Sequence, residues 1–153
     1  MYDPETTTVA TYHGPATGAF PASLPLPSTD VTAEAGFPLP TADFSASEVD
    51  LGEILVPNPL ASFLYRAAGN SMIMDGVLDG DFLLVDRSLN PRSGDLVVAT
   101  FMGQAPICKR LRLDGDRIIL DSRNPHHKPI EVPEGVEVEC FCVRSVARVV
   151  RRG

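Results

Sequence analysis

Gly69-Asn70-Ser71-Met72-Ile73-Met74-Asp75-Gly76-Val77-Leu78-Asp79-Gly80-Asp81-Phe82-Leu83-Leu84-Val85-Asp86 is the stretch whose reading decides the fold. It closes on a short β-forming run, Phe82 to Asp86, introduced by the turn signal Asp79-Gly80-Asp81. Ahead of it Ser62 to Ala67 is a second such run, so a serine-bearing turn lies between two brief strands. Outward the same pattern repeats, with candidate strands at Asp95 to Phe101, Pro106 to Leu113, Arg117 to Asp121 and Val136 to Arg151. Turn signals separate them at Asn90 to Gly94, Met102-Gly103, Asp114 to Asp116 and Pro133 to Gly135. This is how a mostly β domain reads. One short helix is expected before it: Ser45 to Glu48 has the form of a capping box, with Val49, Leu51, Ile54 and Leu55 following and Pro57 ending the segment.

The 153 residues suit a single moderate core with a tail. No Lys or Arg precedes Arg66, while eight of the twenty acidic residues lie before it. Pro4, Pro15, Pro21, Pro25, Pro27, Pro38 and Pro40 interrupt the same stretch, each removing a backbone donor. Residues 1–42 are therefore expected to form an extended, largely mobile arm outside the core, and residues 43–153 the folded domain. A net charge of -7 disfavours direct DNA binding. The longest apolar runs fall far short of the roughly 18 residues a membrane span needs, and the acidic N-terminus lacks the basic start of a secretory signal. A cytoplasmic protein with no membrane contact is expected. Cys108, Cys140 and Cys142 cannot build a disulfide framework. Cys140 and Cys142 share a strand face, and without a completed ligand set they read as structural, with no metal and no cofactor expected.

No phosphate-binding glycine loop and no His-Glu-x-x-His occurs. His126 and His127 follow Asn124-Pro125 in an expected solvated loop, and His13 lies in the arm. Ser71 follows a strand and a glycine, which exposes a nucleophile and turns neighbouring N–H groups toward a developing oxyanion; a lone serine there otherwise simply closes a turn. In Pro106 to Leu113, period two sets Ile107, Lys109, Leu111 and Leu113 on one face and Cys108, Arg110 and Arg112 on the other. A lysine on the inward, apolar face would lose part of its basicity and become a usable general base, unless it snorkels at the strand edge.

Four blocks in order now carry a resemblance: Ser71-Met72 with Gly76, Asp79-Gly80-Asp81 running into Phe82 to Asp86, Ser93-Gly94-Asp95 running to Ala99, and Lys109-Arg110-Leu111. Over about Gly36 to Arg152 the chain resembles the Ser-Lys self-cleaving proteins of the UmuD and LexA type. The resemblance implies a compact, mostly β domain of their C-terminal kind. It implies Ser71 as nucleophile, Lys109 as base, and the backbone amides of Asn70 and Ser71 as oxyanion donors. It further implies cleavage of Ala35-Gly36, in Ala35-Gly36-Phe37-Pro38, by the protein itself. UmuD is the nearer relative, because the 35 residues before Gly36 carry no basic residue and cannot form a helix-turn-helix domain. From that side come a homodimer, a RecA-nucleoprotein filament as activator, and a processed form serving an error-prone Y-family polymerase in the SOS response.

Three other functions compete. A signal-peptidase-like enzyme also uses Ser and Lys, yet acts at membranes. A non-catalytic binding module would use Ser71 and Lys109 only as hydrogen-bonding groups. A repressor-derived sensor domain would have lost its DNA-binding part.

Overall fold

Phe82 to Asp86 is too apolar to leave either face in water, and it becomes an interior strand. The computed structural model describes residues 7–16 and 49–152. Among these, eight strands form one antiparallel sheet: β1 (Val9–Pro15), β2 (Ser62–Ala68), β3 (Phe82–Asp86), β4 (Leu96–Phe101), β5 (Ile107–Asp114), β6 (Arg117–Asp121), β7 (Ile130–Glu131) and β8 (Val138–Ala147). Their order is β1-β2-β3-β8-β4-β5-β6-β7. A further pairing, Val9 opposite Ile107, joins β1 to β5 and closes the first six strands into a ring. The mostly β fold is the one expected of this sequence.

The sheet is held by two apolar clusters. Ala10, Tyr65, Ala67, Met72, Val77, Leu83, Val85, Val98 and Cys108 form one; Val97, Ala99, Phe101, Ile107, Leu111, Leu120 and Val132 form the other. β4 and β5 contribute to both, which explains why Leu96 to Ala99 reads as a continuous apolar run rather than an alternating one. β8 fits between β3 and β4, pairing Val85 with Val143 on one side and Val97 with Cys142 on the other.

One expectation needs correction. Residues 9–15 are not an arm outside the core: β1 pairs with β2 over its whole length, and Ala10 is fully buried. Its single proline, Pro15, is the last residue of an edge, where no ladder bond is needed, and a register shift between Tyr12 and Gly14 absorbs the irregularity. The expected capping box at Ser45 to Glu48 lies outside the described residues, as do Ala35 and Gly36. The helix that is described, α1 (Leu51–Leu55), is capped by Asp50, whose Oδ1 accepts Gly52 N–H at 2.8 Å and Glu53 N–H at 3.3 Å. Val49 stays outside it. Two further differences are small: β7 was not foreseen, and β8 ends at Ala147, leaving Val149 and Val150 exposed.

Candidate active site

Ser71 lies in the turn that leaves β2, and the Asp79-Gly80-Asp81 block braces that turn. Asp79 Oδ1 accepts Gly69 N–H at 2.9 Å, and Gly80 N–H reaches the Ala67 carbonyl at 2.7 Å. Asp81 is fully buried; its oxygens accept Arg148 Nε and Nη2 at 2.7 Å each and Leu78 N–H at 2.8 Å. The Arg148 hydrogen bonds, more than the backbone one, hold the Asp81 carboxyl below its ordinary pKa. Arg148 Nη2 also reaches the Gly76 carbonyl at 3.1 Å. Gly76, with φ +78, closes the 3-10 turn Ile73–Asp75 in a left-handed conformation that a side chain would strain.

β5 delivers Lys109. Ile107, Lys109 and Leu111 are buried as the alternation predicts, whereas Leu113, at the exposed end of the strand, is not. Cys108 on the opposite face is equally buried, because it faces the other apolar cluster. Lys109 Nζ donates to Ser71 Oγ at 2.8 Å and to Ser122 Oγ at 2.7 Å. Both Ser71 and Lys109 have no accessible surface. Burial pushes the lysine pKa down from 10.5 to about 8, with Cys108 acting weakly in the opposite sense. A primary amine titrating there is still mainly protonated at neutral pH, with a neutral fraction far larger than a free lysine's that grows as pH rises.

The third partner of Ser71 was not foreseen. Thr8, immediately before β1, donates its N–H to Ser71 Oγ at 2.9 Å. Its Oγ1 accepts both the Ser71 N–H and the Ser71 hydroxyl, each at 2.9 Å. Thr8 is fully buried and its carbonyl accepts Cys108 N–H at 2.9 Å, so the segment is stitched to β5 as well. Gly69 makes this approach possible: at φ +106, an added Cβ would stand 3.1 Å from Thr7 O and Thr8 Cα. The only sequence signal for Thr8 was a polar threonine run inside a stretch read as an arm.

The connection after β6 was also underestimated. Ser122 contacts Lys109 as described, Arg123 N–H donates to the Ser71 carbonyl at 2.8 Å, and Asn124 Nδ2 donates to the Asn70 carbonyl at 3.0 Å. His127 Nε2 lies 3.2 Å from Asn70 Oδ1, so this histidine is held against the serine turn rather than simply solvated. His126 is exposed, and His13 belongs to β1, where its ring meets Phe82 at 6.4 Å. Cys142 Sγ donates to Asp95 Oδ2 at 3.5 Å, and burial raises the Cys140 and Cys142 thiols to about 11. Among the described residues no three His, Cys, Asp or Glu side chains gather as a metal site, and no helix is long and apolar enough to cross a membrane.

A serine hydroxyl and a buried amine in hydrogen-bond contact within a closed β domain are the parts of a serine peptidase. Residues 27–146 match the Peptidase S24-like family, and the chain belongs to that family. Protein ImpA of Salmonella typhimurium is 40% identical over 102 residues, covering 67% of this chain and 70% of ImpA. Protein SamA of the same species, strain LT2, is 39% identical over 104 residues, 68% of this chain and 72% of SamA. The LexA repressor of Photorhabdus laumondii is 34% identical over 122 residues, 78% of this chain and 58% of the repressor. This protein is thus, in general terms, a serine peptidase of the self-cleaving, SOS-related kind. Ser71, Lys109 and Ser122 lie within the matched residues; β1 and Thr8 lie before them.

Proposed function

We propose that the protein cuts its own Ala35-Gly36 bond, with Ser71 as nucleophile, Lys109 as general base and residues 43–153 as the peptidase unit. The observation that carries this reading is the 2.8 Å contact between Lys109 Nζ and Ser71 Oγ in a site closed to solvent. Neutral Lys109 takes the serine proton as Ser71 Oγ bonds to the Ala35 carbonyl carbon. The backbone amides of Ser71 and Asn70 receive the oxyanion. Lys109 then passes the proton to the Gly36 nitrogen as the peptide bond breaks, and water releases Ala35 from the serine by the same route. A general base contributes about 10²–10⁴-fold and an oxyanion donor about 10²–10³-fold, so the amine accelerates the cut more than either amide does.

Thr8 occupies this machinery in the state described. The Ser71 hydroxyl donates to Thr8 Oγ1, and the Ser71 amide is engaged by the same oxygen. The Thr7-Thr8 peptide bond is itself a poor substrate. Its N–H points at Ser71 Oγ, so the oxygen lies in the amide plane, whereas attack must cross the face of a carbonyl. For Ala35 to enter, the segment ahead of β1 has to leave. The 14 residues from Ala35 to Val49 reach as far as about 46 Å, which exceeds the radius of such a domain several-fold.

The product, on this reading, is a cytoplasmic homodimer that serves as accessory subunit of an error-prone Y-family translesion polymerase, with a RecA-nucleoprotein filament stimulating the cut. Support comes from the four sequence blocks, and from the greater share of ImpA and SamA than of LexA that the chain spans. The test is incubation of the full chain at mildly alkaline pH with intact-mass readout. The expected product begins Gly36-Phe37, and a product starting elsewhere overturns the assignment of the bond.

A further inference from the structure

We propose that Ser122 is a positioning residue for the lysine base, an inference that rests on the Ser71–Lys109 reading above. A neutral amine carries two N–H bonds and one lone pair, and it can take a proton from Ser71 only when the lone pair faces the serine oxygen. Nothing on Lys109 itself fixes that rotation. Ser122 Oγ, 2.7 Å from Nζ, accepts one N–H and thereby chooses which side of the nitrogen turns toward Ser71. Once the proton has moved, the same oxygen faces the new ammonium, whose own lysine has no accessible surface.

The residue is tied to both partners of the dyad. Ser122 contacts the lysine, the next residue's N–H holds the Ser71 carbonyl at 2.8 Å, and Asn124 holds the Asn70 carbonyl at 3.0 Å. In return Met74 N–H donates to the Arg123 carbonyl at 2.9 Å. Three consecutive residues therefore set the base and the nucleophile relative to each other, across elements that β2 and β5 carry separately. The titratable groups around the lysine leave the hydroxyl as its nearest adjustable partner. From β5, Cys108 stays neutral, its thiol pushed up to about 12 by burial. From the serine turn, Asp75 is engaged by Arg110 at 2.6 Å and by Arg123 at 3.7 Å. From the β6–β7 connection, His127 is held at Asn70, and β1 brings only the Thr8 hydroxyl and backbone.

The experiment measures unassisted self-cleavage of the full chain from pH 7 to 10 in Ser122→Ala, Ser122→Val and Ser122→Thr, with Ser71→Ala and Lys109→Ala alongside. Val and Thr have the same shape and differ in the hydroxyl. Ser122→Ala and Ser122→Val are expected to lower the high-pH plateau about 10²-fold, the usual effect of a misaligned reacting group. They should also move the midpoint of the profile to lower pH, because an acceptor that favours the charged amine has gone. Ser122→Thr should keep the plateau within several-fold and the parent midpoint. A purely structural role would alter the folded fraction and leave the midpoint where it was. Equal rates in the Val and Thr variants, or a parent-like profile in Ser122→Ala, overturn the inference. If those results come while Ser71→Ala and Lys109→Ala are inactive, the dyad stands without Ser122; if Lys109→Ala still cleaves, the dyad reading itself fails.

Discussion

Two chain segments reach Ser71 Oγ, and the residue each brings is fully buried. β5 brings Lys109 Nζ at 2.8 Å, and the residue ahead of β1 brings the Thr8 N–H at 2.9 Å. One is an amine able to take a proton; the other is a hydroxyl and an amide that can only hold the serine still. β5 lies within the family match and β1 lies before it. On the proposed reading of Ser71 as nucleophile, the difference teaches that its environment can be split between a part that makes it reactive and a part that keeps it idle. The two parts can also have separate sequence origins.

The hardest blow to this comparison would be activity without the amine. Lys109→Ala and Ser71→Ala are each expected to lose at least the 10²–10⁴-fold a general base contributes, with the fold kept by circular dichroism. Retention of most activity in either variant removes the reactive half of the contrast.

The idle half is tested at Thr8. Thr8→Val deletes the oxygen that accepts the Ser71 amide and hydroxyl, two bonds worth about 1 kcal/mol each at most places in a protein. A tenfold faster basal cut at Ala35-Gly36 is the expected result, read by intact mass, while Thr8→Ser should match the parent. A Thr8→Val chain that cleaves no faster would mean that this segment does not restrain the serine.

A smaller effect concerns stability. The Lys109 pKa falls from 10.5 in the unfolded chain to about 8 in the folded one, so unfolding takes up a proton between those values. Stability from this group is lowest below about pH 8 and rises with pH above it, by up to about 1.4 kcal/mol per unit. The cysteines have the opposite sign. Their thiols are raised from 9.0 to about 11 or 12, so they take stability away as pH climbs past 9. Denaturant titrations between pH 7.5 and 9 therefore isolate the lysine. Lys109→Met should be the more stable chain at pH 7, and that advantage should shrink by about 1 kcal/mol by pH 9 and vanish only near pH 10.5; a constant difference speaks against a buried lysine that sheds its proton.

The smallest expected change is none. His126→Ala with His127→Ala should cleave within a few-fold of the parent, since neither ring reaches Ser71 Oγ; a collapse of the rate would bring histidine into the chemistry.

Much of this was legible in the sequence, and the reasons are local. Arg117 to Asp121 and Phe82 to Asp86 read as strands because runs of three or four apolar residues between turn signals have few other uses. Period two set Lys109 among Ile107 and Leu111 on an inward face, while its meeting with Ser71 was legible only through the resemblance carried by the four sequence blocks. β1 was not, since Val9–Pro15 is half polar, ends in proline and is buried only by ring closure against β2 and β5, an event with no local signature. Ser122 was missed for a related reason: a serine in a connection is ordinary until the fold sets a lysine 2.7 Å away.

The position of β8 bears on the order in which the molecule is made. Ser71 hangs from the β1-β2-β3 side of the sheet and Lys109 from the β4-β5-β6-β7 side, and the strand that bridges them is the last of the eight. On the ribosome the two sides emerge first as separate hairpins, and besides β8 the strand pairing between them is Val9–Ile107. Residues 138–147 must leave the exit tunnel before serine and lysine share one framework, and Arg148, which fixes Asp81 under the serine turn, follows directly after. A chain stopped short of Val138 therefore lacks the strand that joins the two sides.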